Sequence, residues 1–283
     1  MSGSAGAWSS YGPWFLGATI GLLAAFYLLR GRVRIERGWA GFSILRFGAL
    51  ARLVHWLLAI SFVFLALTGL ALRHATALLE PVAGAQSIAQ LLAASRAVHG
   101  AAALSFMAAL LAAFPLWVGQ CLPHWRDAVW LLKGGGILIR GVHPPAWRFN
   151  AGQKLLFWLV MVAGAVLSVT GIALLLPWTG AFAGVVSVAA KIGIGVSVEL
   201  SPDEEARESR AWHILAAYFI ISVVVVHVYL RTLGIQGAFS AMGSGQVDAN
   251  WARQHHRLWA EREIDRKMQD APHAARAETA PAA

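Results

Sequence analysis

Five apolar stretches separated by polar connections dominate the pattern of the sequence. Each is close to the roughly 20 residues that an α-helix needs to cross the hydrocarbon core of a bilayer. The predicted spans are 11–29, 53–72, 98–118, 154–177 and 211–230. A sixth apolar segment, 180–198, is interrupted by Lys191 and by glycines, so we expect an external loop with an interfacial helix there. The pattern predicts an all-α membrane protein, a bundle of five transmembrane helices.

The basic residues are unevenly distributed between the connections. Lys and Arg number six in 30–52, five in 119–154 and seven in 231–283, against none in the first ten residues, two in 72–98 and three in 178–210. Basic residues gather in cytoplasmic loops. The asymmetry predicts a multi-pass protein of the bacterial inner membrane, with a periplasmic N-terminus and a cytoplasmic C-terminus. It also accounts for the net charge of +9 without a nucleic-acid partner.

The first span is predicted to be a retained anchor. A signal peptide carries its positive charges before the apolar run, whereas here Arg30, Arg32 and Arg34 follow it. We expect an anchor with a cytoplasmic linker (1–45), a four-helix core (46–233) and a cytoplasmic helical tail (234–283). The single cysteine, Cys121, cannot by itself hold an iron–sulfur cluster or a Cys-rich zinc site.

Four histidines lie within the apolar spans, where an ionisable side chain marks a candidate functional site. His213 and His227 are 14 residues apart, which places them on one helix face about 21 Å apart. The predicted topology puts His99 at the depth of His213, near the outer surface. It puts His55 at the depth of His227, near the cytoplasm. The histidines therefore form two predicted pairs.

Two opposed imidazoles are the axial ligand set of a six-coordinate haem iron. We predict two b haems, an outer one held by His99 and His213 and an inner one held by His55 and His227. Zinc would lack its third and fourth ligands, and for any single histidine a hydrogen bond to a neighbouring helix is the alternative. Glycines in the spans suit a flat cofactor or ordinary helix packing. Candidate partners for the haem propionates are Arg52, Arg73, Arg96 and Arg210, although positive-inside anchoring explains Arg52 equally well.

A second candidate site lies at the cytoplasmic entry to the fourth span. Asn150 and Gln153 could donate hydrogen bonds to a quinone carbonyl, Gly152 leaves room for a ring, and His227 shares their depth. The alternative is that Asn150 caps the helix and forms a capping box with Gln153, and both roles are compatible.

Two segments resemble the cytochrome b (gamma) subunit of membrane-bound formate dehydrogenase. The first is Arg148-Phe149-Asn150-Ala151-Gly152-Gln153-Lys154-Leu155-Leu156-Phe157-Trp158, and the second is Trp251-Ala252-Arg253-Gln254-His255-His256-Arg257-Leu258-Trp259. The contexts of the four histidines also follow that family's order, and the resemblance extends over about 46–263. The extra first span and the long connection 178–210 have no counterpart in the simplest family pattern.

The resemblance implies a complex of three kinds of subunit. A molybdenum- or tungsten-pterin (alpha) subunit would oxidise formate, an iron–sulfur (beta) subunit would conduct electrons, and this chain would reduce ubiquinone or menaquinone near the cytoplasmic side. The chain itself would not act on formate. Its tail residues His255, His256 and Trp259 would contact the iron–sulfur subunit, although a solvated helix face is the alternative.

Three other functions remain open from the sequence. The chain could be the cytochrome b subunit of a hydrogenase or of another molybdoenzyme, with the same haems and a different electron donor. It could be a proton or ion carrier that uses its buried histidines, or a membrane anchor without redox function. Haem bands in a reduced-minus-oxidised spectrum separate the cytochromes from the last two classes.

Overall fold

The computed structural model describes residues 10–193 and 200–278, and these are mostly helical. Nine α-helices and two short strands follow one another there: α1 (Gly12–Arg30), β1 (Ser43–Leu45), α2 (Ala49–Ala83), α3 (Ala85–Trp117), α4 (Trp125–Leu132), α5 (Ala151–Leu175), α6 (Ala181–Lys191), α7 (Pro202–Tyr229), α8 (Ser240–Gly243), β2 (Gln246–Asp248) and α9 (Ala249–Glu278). Five segments are long and apolar enough to cross a membrane: Gly12–Arg30, Ala49–Ala83, Ala85–Gln120, Ala151–Leu175 and Pro202–Gly234. The predicted all-α membrane fold with five spans is confirmed.

The second and third spans extend well beyond the stretches predicted from hydropathy. Only Gly84, with φ of 80°, separates α2 from α3, so the connection predicted at 72–98 is largely helical. The 35 residues of α2 form a helix about 50 Å long, against a hydrocarbon core of about 30 Å. Hydropathy detects only the part inside the core. The parts of α2 and α3 beyond the predicted spans carry the charges of Arg73 and Arg96, which are both exposed.

The ambiguous apolar segment after the fourth span begins with a short helix. The 11 residues of α6 reach about 16 Å, which is too short to cross a bilayer. Its first turn receives a cap from α7, because the Glu205 carboxylate accepts hydrogen bonds from the N–H groups of Phe182 at 3.0 Å and Ala183 at 3.1 Å. Residues 194–198 of the predicted external loop lie outside the described residues.

The chain divides into two units, and the first contains the described residues of 10–23, 53–115 and 159–226. Small residues bring its helices close together, as is usual in membranes. A β-carbon added to Gly164 would lie 2.8 Å from the side chain of Leu110, and one added to Gly12 would lie 2.1 Å from the ring of Tyr218. The first contact joins α5 to α3. The second joins the N-terminal helix α1 to α7.

The second unit contains the described residues of 24–52, 116–158 and 227–278. Its strands β1 and β2 pair antiparallel, with Ile44 opposite Val247, and a parallel bridge joins Val33 to Ile235. These strands are too short to be distinguished by an alternating pattern in the sequence. The tail is packed into this unit's apolar core, which includes Val33, Ile44, Phe47, Ile235, Val247, Trp251, Trp259 and Ile264.

The tail helix α9 has a polar cap at its start and a kink in its second turn. The Asp248 carboxylate accepts hydrogen bonds from the N–H groups of Asn250 at 2.8 Å and Trp251 at 3.1 Å. At the kink His256 has φ of −145° and ψ of 49°. The N–H of Leu258, two residues later, bonds to the carbonyl of Ala146 at 3.1 Å. The kink therefore joins the tail helix to the segment before α5.

Candidate functional site

The structure brings together the two histidines predicted to form the outer pair. His99 of α3 and His213 of α7 both belong to the first unit, and their ring centroids are 6.3 Å apart with an angle of 57° between the ring planes. Imidazole–metal bonds of about 2 Å on each side, with about 1.1 Å from each nitrogen to its ring centre, require about 6 Å between centroids. The spacing therefore fits one metal ion held between the two rings.

The other ring nitrogen of each histidine is engaged by a threonine from a neighbouring helix. Nδ1 of His99 lies 2.8 Å from Oγ1 of Thr68 on α2, and Nδ1 of His213 lies 2.9 Å from Oγ1 of Thr170 on α5. With Nδ1 engaged, Nε2 is the nitrogen left to bind a metal. Metal-binding histidines commonly show this arrangement, in which the second nitrogen bonds to an outer group.

Two glycines of the spans, Gly69 and Gly171, lie against these rings. A β-carbon added to Gly69 would be 3.4 Å from Cε1 of His99, and one added to Gly171 would be 3.5 Å from Cε1 of His213. Gly164 instead packs on Leu110, and among the described residues no neighbouring group lies within 4 Å of the position that a β-carbon would take at Gly100. Gly69 and Gly171 leave the imidazole edges uncrowded, whereas Gly164 serves helix packing.

No described donor cluster suggests a multi-ligand metal ion in place of haem. Within residues 10–193 and 200–278, no three His, Cys, Asp or Glu side chains come together in a way that could hold a metal. The pair His99 and His213 therefore lacks further protein ligands of these types. This donor set suits a metal that brings its own equatorial ligands, as the iron of a porphyrin does.

The inner pair, His55 and His227, stays a prediction. His55 lies near the start of α2 beside Trp56, with the two ring centroids 5.4 Å apart, and His227 lies in the last turn of α7. Of the arginines proposed for propionates, Arg73, Arg96 and Arg210 are exposed. Arg52 donates a hydrogen bond to the carbonyl of Gly243 at 2.8 Å and so holds the segment before β2. A role toward propionates stays a prediction for all four.

Asn150 and Gln153 form a reciprocal cap at the start of α5. The N–H of Gln153 donates to Oδ1 of Asn150 at 3.0 Å, and the N–H of Asn150 donates to Oε1 of Gln153 at 3.2 Å. Each side-chain oxygen accepts one of these bonds, and the amide NH₂ groups are the donors that these residues can offer a ligand. Gly152 lies beside them, and a β-carbon there would be 3.4 Å from Trp130. A ligand that accepts hydrogen bonds, as a carbonyl oxygen does, could bind to these NH₂ groups.

A buried arginine that the sequence did not single out as a site residue lies next to this cap. Arg46 is fully buried, and its Nη2 lies 3.5 Å from Oε1 of Gln153 and 2.5 Å from the carbonyl oxygen of Arg148. The Arg148 side chain in turn donates to the carbonyl of Arg46. These reciprocal bonds join the segment before α2 to the segment before α5. The contact of Arg46 with Gln153 also links the cap to this pair.

Aromatic rings surround the buried guanidinium. The Cζ atom of Arg46 lies 5.3 Å from the ring of Phe47, 5.4 Å from Trp251 and 5.1 Å from Trp259, distances typical of cation–π contacts. Burial, together with the nearby charges of Arg231 and Arg148, holds the pKa of Arg46 well below its usual value. From the sequence Arg46 contributes only to the basic count of its connection. Its role follows from contacts with residues about 100 and 200 positions away.

The tail residues predicted to contact an iron–sulfur subunit take part in this packing. His256 is 1% exposed, donates from Nδ1 to the carbonyl of Trp147 at 2.8 Å, and accepts from Arg46 at Nε2 at 3.0 Å. Trp259 is 6% exposed, so little side-chain surface of either residue is left for a partner. Burial and neighbouring cationic groups lower the pKa of His255 to about 3, so this ring is neutral. Contact of the tail with a partner stays a prediction.

Comparison with known proteins agrees with the helical membrane architecture. Residues 46–245 match the family described as prokaryotic cytochrome b561. The chain is 28% identical over 225 residues to the cytochrome b556(Fdn) subunit of the nitrate-inducible formate dehydrogenase of Escherichia coli (strain K12), which covers 79% of this chain and 92% of that protein. It is 27% identical over 231 residues to the formate dehydrogenase cytochrome b556 subunit of Haemophilus influenzae, which covers 80% and 86%.

The resemblance predicted from the two sequence segments is confirmed by these matches. A further relative, the cytochrome b556(fdo) subunit of a formate dehydrogenase of Escherichia coli (strain K12), is 26% identical over 218 residues. The family match covers well over half of the chain and includes all four of the paired histidines. It begins at Arg46, the residue around which the second unit packs. The chain is a multi-pass membrane protein that belongs to the prokaryotic cytochrome b561 family.

Proposed function

We propose that this chain is the haem-bearing electron-transfer subunit of a membrane-bound formate dehydrogenase, and that it delivers electrons to a quinone. The observation that carries the proposal is the proximity of His99 and His213. Their ring centroids are 6.3 Å apart, and their Nδ1 atoms contact Thr68 and Thr170. This arrangement leaves the two Nε2 atoms as the nitrogens that could bind one metal. The family implies haem b, and the residues present fit it.

A haem with two histidine ligands supplies reversible one-electron chemistry and has no open coordination position for oxygen. The residues of the chain orient and enclose this group. His99 and His213 would hold the outer haem, and Gly69 and Gly171 keep the imidazole edges uncrowded. His55 and His227 would hold the inner haem, nearer the cytoplasmic connections. Two b haems per chain are thus proposed.

For the quinone we propose the cap of α5, with Asn150, Gly152, Gln153 and His227. The side-chain oxygens of both amides accept the bonds of the cap, and their NH₂ groups can donate hydrogen bonds to a ligand. A quinone carbonyl accepts such hydrogen bonds, and its reduction to a quinol takes two electrons and two protons. The protons would come from the cytoplasm, because the asymmetry of basic residues favours that side for the connection before α5.

The names of the relatives support formate as the electron source. We propose that the chain assembles with an iron–sulfur subunit and with a molybdenum- or tungsten-pterin subunit that oxidises formate. We further propose the bacterial inner membrane as its location, with a periplasmic N-terminus and a cytoplasmic C-terminus. Co-purification of a formate-oxidising activity with the tagged chain tests the assignment. Co-purification of a hydrogen-oxidising activity instead would assign it to a hydrogenase.

The haem proposal is tested by a pyridine haemochrome assay on the purified full chain and two variants. We expect two haems b in the wild type and one in His213→Ala, because that variant lacks one of the two histidines that would hold the outer haem. The control is His124→Ala, which removes a histidine from the connection after α3 and should retain both haems. A colourless wild type would contradict the proposal. Two haems in His213→Ala would contradict the pairing.

A further inference from the structure

The two halves of the first unit repeat a short sequence pattern. Residues 65–72 and 167–174 share the order Leu, any residue, an aliphatic residue, Thr, Gly, an aliphatic residue, Ala and Leu. Each pattern is followed on the next long helix by Ser-Arg-Ala, one apolar residue and His, which is 95–99 in the first half and 209–213 in the second. The repeat therefore couples one Thr-Gly pair with one histidine in each half.

The structure shows what the repeated residues do together. In each half the threonine hydroxyl meets Nδ1 of the repeated histidine, at 2.8 Å for Thr68 with His99 and 2.9 Å for Thr170 with His213. The glycine that follows each threonine faces Cε1 of the same ring. Two copies of one arrangement thus converge on a single pair of facing imidazoles.

The proton on each threonine hydroxyl has a partner on its own helix. Oγ1 of Thr68 lies 2.6 Å from the carbonyl oxygen of Phe64, and Oγ1 of Thr170 lies 2.7 Å from that of Val166. A hydroxyl has one proton and two acceptor lone pairs. Because the proton is donated to the carbonyl four residues earlier, the oxygen is left to accept from the histidine. Nδ1 of each histidine is therefore the protonated nitrogen, and Nε2 carries the lone pair.

We propose that Thr68 and Thr170 are positioning residues that fix the tautomer and the orientation of the two ligands of the outer haem. This inference rests on the proposed function, because it assigns a role toward a haem held by His99 and His213. An acceptor at Nδ1–H raises the basicity of a metal-bound imidazole and holds the ring plane. The more basic ligand stabilises ferric iron, so the hydroxyls lower the reduction potential of the outer haem.

The test replaces each hydroxyl by a methyl group of similar size. Thr170→Val removes the acceptor, whereas Thr170→Ser retains it, and Thr68→Val examines the other half of the repeat. The matched control is Ser168→Ala on the same helix, because the Ser168 hydroxyl makes the same kind of bond to the carbonyl four residues earlier, that of Gly164 at 2.7 Å. Each full-length variant is purified in detergent, and both haem potentials are measured by redox titration.

We expect the potential of the outer haem to become more positive in Thr170→Val and Thr68→Val, with the inner haem unchanged. Transfer of the outer haem to a haem-scavenging apoprotein should become about 10-fold faster, as loss of an outer partner typically weakens metal binding. Thr170→Ser and Ser168→Ala should match the wild type. The inner haem serves as the internal standard for folding in every variant.

The outcomes separate this inference from the proposed function. Two haems in the wild type with an unchanged outer-haem potential in both valine variants would overturn the positioning role alone. A wild type without haem would overturn the proposed function and the inference with it. An equal shift in Ser168→Ala and Thr170→Val would assign the effect to loss of the helix back-bond, and so would also overturn the positioning role.

Discussion

Replacing Trp251 by alanine should destabilise the second unit more than any comparable surface change. Trp251 is 1% exposed, and its ring packs beside the guanidinium of Arg46 and the rings of His255 and His256, with the two histidine centroids at 5.1 and 5.5 Å. Loss of a buried tryptophan typically costs about 3–5 kcal/mol in the free energy of unfolding. At about 2–4 °C per kcal/mol for a chain of this size, we expect the unfolding midpoint to fall by about 10 °C.

The single cysteine provides the assay. Cys121 is fully buried in the same unit, and burial raises the pKa of its thiol to about 11. A thiol-reactive fluorogenic dye therefore reacts with the purified full chain only when this unit opens on heating. No other cysteine contributes to the signal, because the chain contains one.

The matched control is Trp125→Ala, which makes the same chemical change where the side chain is 67% exposed and only four residues from the reporter. We expect its midpoint to lie within about 2 °C of the wild type, since surface changes cost little. Equal midpoints for Trp251→Ala and the wild type would refute the conclusion that the tail forms the core of this unit.

Three further predictions concern other parts of the molecule. Asn150→Asp keeps an oxygen for the cap but removes the NH₂ donor. We expect slower quinone reduction, with thermal stability and the reduction of an artificial dye unchanged. Wild-type rates of quinone reduction in this variant would show that Asn150 is a helix cap only. The pKa of His255, lowered to about 3 mainly by burial, lies below the value of about 6.5 in the unfolded chain. The unfolded state therefore binds the extra proton, and stability is lost as the pH falls from about 6.5 toward 3. The unfolding midpoint should fall less between pH 7.5 and pH 5.5 in His255→Gln than in the wild type. An equal fall in both proteins would argue against His255 as the source of the pH dependence. Gly12→Leu should cost about 1–3 kcal/mol because the new side chain meets the ring of Tyr218. Gly17→Leu should cost little, because no neighbouring group of the described residues lies within 4 Å of the added β-carbon. Equal loss of haem absorbance on heating in both variants would contradict the docking of α1.

The sequence was sufficient to predict the five spans and the proximity of His99 and His213. The spans follow from the length of the apolar stretches, and the proximity of the histidines follows from helical periodicity and from the alternation of the connections between the two sides of a membrane. The cap formed by Asn150 and Gln153 was also predictable, because its partners are three residues apart. The extra length of α2 and α3 was not predictable, because the hydropathy falls where a helix leaves the hydrocarbon core even though the helix itself continues.

The features missed from the sequence depend on contacts between distant segments. Arg46 counted only as one of six basic residues in its connection, yet it is fully buried by residues of three separate segments. The pairing of β1 with β2 joins positions about 200 residues apart and offers no alternating pattern long enough to detect. Thr68 and Thr170 were missed for a different reason. A signal existed in the repeated Thr-Gly pairs, but each is unremarkable in an apolar helix when considered alone.

The kink at His256 has a consequence for how the protein is made. Spans enter a membrane in the order of their synthesis, so α5 is inserted before the tail is made. The kink in the tail places His256 against Arg46 and lets the N–H of Leu258 donate to the carbonyl of Ala146. The segment before α5 thus cannot reach its final hydrogen bonding until the ribosome has passed residue 258. Premature stop codons before residue 256 would yield chains that insert normally but leave the buried guanidinium of Arg46 without its histidine partner. Such products should be recognised by membrane proteases as immature.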